Sequence, residues 1–108
     1  MDNVGSGRDS ALVDRWMAMA RRVGPDGFVR QLRAQVGRPD SRPTLHRMSV
    51  PTLVISGSDD ALCPPALQAE LASGLPTVEH RTIDGAGHMS PLDCPAEVAT
   101  ALAGWLTC

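Results

Sequence analysis

Between Pro51 and Gly57 lies Thr52-Leu53-Val54-Ile55-Ser56, an aliphatic and β-branched run without polar alternation. A strand with one wet face alternates apolar and polar residues. One that does not alternate reads as a strand buried on both faces, the habit of parallel sheets covered by helices. The rest of the C-terminal half agrees. Pro64 and Pro65 can open a helix, because the first helical positions need no intrahelical N–H donor. Ala66, Leu67, Leu71 and Ala72 follow, and Gly74 suits its C-terminal stop. Val78 to Ile83 is a second strand candidate, interrupted by Glu79, His80 and Arg81. Residues 96–106 form a closing helix with Val98, Leu102, Trp105 and Leu106 on one face. The order strand, helix, strand, helix predicts an α/β layer: a two-stranded parallel sheet with flanking helices and a right-handed crossover.

Upstream the pattern is helical. Residues 1–8 read as a disordered leader. From Asp9 to Val23, the residues Leu12, Trp16, Met19 and Val23 recur at helical spacing, with Asp9 or Ser10 as cap and Gly24-Pro25 as stop. A second helix, from Asp26 to Val36, carries Phe28, Val29, Leu32 and Val36, and Gly37 ends it. Arg38 to Pro43 is a polar, proline-broken linker. The chain thus divides into a leader (1–8), a helical segment with its linker (9–43), and an α/β part (44–108).

The 108 residues suit one domain, and 43% apolar and 20% charged residues with a net charge of −2 are ordinary for a soluble globular protein. Nothing is strongly basic, so nucleic acid is not an expected partner. No apolar run reaches membrane-spanning length. Cys63, Cys94 and Cys108 are unclustered and form no Cys-x-x-Cys motif, which favours a reducing, cytoplasmic setting. No cofactor or metal is expected. Aromatics are confined to Trp16, Phe28 and Trp105, so the core must be aliphatic.

Two loops carry the chemistry. Gly57-Ser58-Asp59-Asp60 follows the first strand, and Asp84-Gly85-Ala86-Gly87-His88-Met89 follows the second. Histidine is the commonest general base near neutral pH, and the glycines before it allow positive φ, which lets a tight loop aim the ring. An acid and a histidine after neighbouring strands suggest two members of a catalytic triad. The plainer alternatives are an Asx-turn role for Asp60 and a self-bonded loop histidine. His46 and His80 read as surface residues without partners. Cys63 reads as a small packing residue, since a reactive cysteine needs an electropositive setting and aspartates surround it instead. Trp16, Met17 and Met19 could form an apolar lid or simple core.

Taken together, Val50 to Asp60, Gly85-Ala86-Gly87-His88, Pro91 to Val98 and the helix ending at Trp105-Leu106 resemble the C-terminal part of the α/β-hydrolase fold family. The resemblance covers about residues 44 to 106, and residues 9–37 look like the family's cap helices. It implies that Asp60 is the triad acid, with Asp59 as the neighbouring fallback, and that His88 is the triad base. It also implies esterase-like hydrolysis of a small ester or acyl substrate. The family's serine sits on a Gly-x-Ser-x-Gly elbow upstream of the cap, and no such pentapeptide occurs in this sequence. Gly5-Ser6-Gly7 has no strand before it. Family members with an aspartate nucleophile therefore stay open as well. The expectation is a chain that supplies acid and base but no nucleophile. It would act with an N-terminal half, or else be an inactive remnant or an interaction module pairing through an open sheet edge.

Overall fold

The computed structural model of the chain describes residues 10–107. The leader expected over residues 1–8 lies outside the described residues, as do the cap candidate Asp9 and Cys108. Ser10–Val36 (α1) is helical except at Gly24, whose φ of 72° and ψ of 171° divide it into two arms. Pro25 drives its predecessor out of the α region, glycine tolerates the positive φ, and Pro25 then opens the second arm. The arms match the two expected helices. Their apolar stripes find little cover: Phe28 is 61% exposed, and Val23, Val29, Leu32 and Val36 are exposed too. α1 makes no extensive contact with any other helix or strand.

A short 3-10 helix, Arg42–Arg47, comes next, with Pro43 in its first turn. This element begins within the polar linker expected over Arg38 to Pro43, and no local pattern announces it. The helix buries Leu45 against Val54, Ala72 and Leu75. The Arg42 guanidinium bridges Asp40 at 2.7 Å and Glu70 at 3.2 Å, tying the segment to the following helix.

Thr52–Gly57 (β1) and Val78–Ile83 (β2) pair in parallel, with Thr52 opposite Val78 and Gly57 opposite Ile83. Pro65–Gly74 (α2) forms the crossover. After β2 come a short helix, Ser90–Asp93 (α3), and Pro95–Leu106 (α4). Each sheet face has one small cluster. Val54 meets Leu45 and α2 on the first. On the second, Ile83, Ala86 and Val98 gather with Ile55 and Cys94.

The expectation that β1 is buried on both faces needs correction. Val54 and Ser56 are buried, but Leu53 and Ile55 are only half-buried. Two strands make a sheet too narrow to meet the helices laid on it. An open groove lined by Pro51, Thr52, Val78, Glu79, Trp105 and Leu106 separates the end of α4 from the start of the strands. Leu67 and Leu71 on α2 are exposed, and so are Leu102 and Leu106 of the face expected on α4. Among the described residues no helix is long and apolar enough to cross a membrane.

Candidate active site

The loops after β1 and β2 leave the same end of the sheet, because parallel strands in register finish side by side. This C-terminal edge is where open α/β sheets usually take ligands. The two loops are laced together. Ser58 N–H donates to the Ile83 carbonyl at 3.0 Å, and Asp59 N–H donates to the Ala86 carbonyl at 2.9 Å. Gly85, at φ 76°, donates its N–H to Ser58 Oγ at 2.8 Å. Gly87 N–H is held by Asp93 Oδ2 at 2.8 Å, so α3 steadies the histidine loop from its far side. Gly57 lies so close beneath this loop that a Cβ there would stand 2.5 Å from the Gly87 carbonyl oxygen.

Asp60 is buried, and its carboxylate divides its oxygens between two tasks. Oδ1 accepts N–H bonds from Leu62 at 3.0 Å and Cys63 at 2.9 Å, closing an Asx-type turn. Oδ2 accepts from His88 Nδ1 at 3.0 Å. The Asx-turn bonds and the contact with His88 therefore coexist in one side chain. Burial by itself pushes the Asp60 carboxyl up. The amide of Cys63, the hydrogen bond and charge of His88, and the amide of Leu62 outweigh it, and the net direction is below the ordinary carboxylate value. Nδ1 is the ring nitrogen that meets Asp60, on a side chain that is 34% exposed.

Asp59 is exposed, and its carboxylate accepts only a long 3.4 Å bond from Ser58 Oγ among the contacts described. The structure thus places Asp60, and not Asp59, against His88. His46 is exposed. His80 is exposed as expected but not unpartnered: its Nε2 lies 2.9 Å from Oγ of the buried Ser56. That pairing follows from the strand register, which sequence does not state. Cys63 is half-buried, and its thiol sulfur comes within 4.8 Å of ligand atoms of both Asp60 and His88. The three-residue spacing to Asp60 hinted at this; the loop geometry brings it about.

The model of the Alpha/beta hydrolase family matches residues 2–101. BpoC of Mycobacterium tuberculosis, provisionally named a non-heme bromoperoxidase, is 32% identical over 97 residues, covering 87% of this chain and 37% of BpoC. A proline iminopeptidase of Lactobacillus helveticus is 36% identical over 62 residues, which are 57% of this chain and 21% of that one. The solved structure of a thermophilic esterase from Thermogutta terrifontis superposes with a TM-score of 0.64 at 38% identity, covering 66% of this chain and 26% of the esterase. The chain therefore spans little more than a third of the length of the first of these relatives. By the family model, which takes in nearly all of its residues, the chain belongs to the alpha/beta hydrolase family.

Proposed function

We propose that the chain supplies the acid and base of an esterase-like serine hydrolase, and that the nucleophile comes from a segment outside this sequence. The observation that carries this reading is the 3.0 Å bond from His88 Nδ1 to Asp60 Oδ2. It fixes one tautomer and directs Nε2 to the reaction. In the proposed cycle Nε2 takes the proton of the serine hydroxyl as its oxygen attacks the ester carbonyl. The imidazolium, stabilised by Asp60, then gives that proton to the leaving alcohol. Water repeats the sequence to release the acid. The resemblance to a thermophilic esterase favours esters among acyl substrates.

The test is labelling by a fluorophosphonate probe. The chain alone is expected to stay unlabelled. Adding the product of an upstream coding segment with a Gly-x-Ser-x-Gly elbow is expected to produce labelling that His88→Ala abolishes. Labelling that survives His88→Ala would sink the assignment. A second reading, an interaction module, draws on a different observation. The outer edge of β1 is unpaired among the described strands, and an open edge is a template for another strand.

A further inference from the structure

We propose that Asp60, Cys63 and His88 form a binding site for a zinc ion. The ligand atoms of the three residues lie within 4.8 Å of one another. They offer one oxygen, one sulfur and one ring nitrogen, a donor set that suits zinc: imidazole and thiolate favour it, and hard oxygen-seeking ions do not share that preference. Asp60 is organised for the task before any ion arrives. Two backbone amides hold Oδ1, the side chain is 5% exposed, and Oδ2 points at His88 from 3.0 Å. A tetrahedral ion with bonds of about 2.0 Å spaces neighbouring ligand atoms roughly 3.3 Å apart. The Asp60–His88 separation of 3.0 Å is already close to that spacing, and the Cys63 sulfur stands within 4.8 Å of the other two ligand atoms.

Binding exchanges protons for the ion. The Cys63 thiol releases its proton to solvent, and the ion takes the place of the hydrogen bond or ring proton at the histidine nitrogen it binds. Three protein ligands leave one coordination position for water or another small ligand. The site rests on the same Asp60–His88 pairing as the hydrolase reading and uses it differently: an ion held there withdraws His88 from proton transfer.

Cobalt(II) titration of the reduced full-length chain tests the site without any serine or substrate. One equivalent of cobalt is expected to bind, with a thiolate-to-cobalt charge-transfer band that added zinc removes. Cys63→Ser keeps the amide bonded to Asp60. It is expected to lose the band and to weaken zinc binding at least tenfold, and His88→Ala is expected to weaken it similarly, whereas Cys94→Ser retains the band. In the unmutated chain, zinc is expected to move a His88 ring-nitrogen resonance by NMR. Absence of the band, its persistence in Cys63→Ser, or an unmoved His88 resonance would each overturn the site. Failure of serine labelling bears only on the hydrolase reading, and failure of metal binding bears only on this one.

Discussion

A Cβ on Gly57 would collide with the Ala86 carbonyl, so the absence of a side chain there lets the acid loop come this close to the histidine loop. The Ala86 carbonyl turns to accept the Asp59 amide at 2.9 Å, and Ala86 itself is fully buried. A side chain at position 57 would drive into backbone, which cannot rotate out of the way. Gly57→Ala is expected to destabilise the chain by about 1–3 kcal/mol, the usual range for overpacking. The midpoint of urea denaturation measures this. NMR of the folded fraction is expected to show a lengthened or broken Asp60–His88 bond.

Asp60 is expected to hold His88 in the tautomer protonated on Nδ1. Asp60→Ala removes the only acceptor described for that proton, and the ring is then expected to shift toward the Nε2-protonated form common in water. Nitrogen-detected NMR of the ring distinguishes the two. In the assembled hydrolase, Asp60→Asn is expected to lower kcat by roughly ten-thousand-fold, the loss seen when a triad acid is made neutral with its geometry kept. A tautomer ratio that ignores Asp60 would remove the basis of the mechanism.

Acid stability offers a separate check. The folded carboxyl of Asp60 lies below its ordinary value, so between the folded and unfolded values the unfolded chain binds more protons. Stability then rises with pH through that window. The contribution is complete above the unfolded value of about 4 and disappears as pH falls through the folded one. Thermal midpoints of the unmutated chain and Asp60→Asn are expected to differ most at neutral pH and to converge as pH drops below about 4. A gap that stays constant down to strong acid would show that the charge of Asp60 is not what stabilises the fold.

β1 was legible in the sequence because an aliphatic and β-branched run between Pro51 and Gly57 leaves few alternatives, whereas β2 showed only through Val78, Thr82 and Ile83 around the charged interruption. The acid and histidine loops were legible for a related reason, since each follows a strand and turns on glycine. Leu45 was not legible. It is one apolar residue amid Arg42, Pro43, His46 and Arg47, and a single residue has no periodicity. Its burial is created by α2, where a Cβ on Gly74 would stand 2.7 Å from a Leu45 methyl. The Ser56 partner of His80 and the nearness of Cys63 to Asp60 and His88 were hidden for another reason. One depends on strand register and the other on the path of a loop, and neither leaves a pattern in local spacing. The incomplete cover of β1 was hidden because burial belongs to the assembled layers and the run itself carries no record of them.

Leu45→Ala tests how much that unannounced residue holds. Deleting a buried leucine commonly costs about 2–5 kcal/mol, and Leu45 belongs to one of only two small buried clusters among the described residues. The expected outcome is loss of cooperative thermal unfolding, with β1 amides exchanging early in hydrogen-exchange measurements. Retention of a sharp transition within a few degrees of the original would show that the strand pair stands without its 3-10 cover.

The two edges of the sheet differ in how they meet water. β2 carries Glu79 and Arg81, whose side chains pair with each other, and charges of this kind discourage strand addition. β1 has no charged residue between Thr52 and Gly57, and its outer edge is unpaired among the described strands. Exposed Phe28, Leu102 and Leu106 add apolar surface. The isolated chain is therefore expected to self-associate through the β1 edge, visible as concentration-dependent sedimentation. Leu53→Lys places a charge on that strand and is expected to shift the population toward monomer, with circular dichroism confirming a retained fold. An unmutated chain that sediments as a monomer at every concentration would show that the edge is shielded. The interaction-module reading would then lose the surface on which it depends.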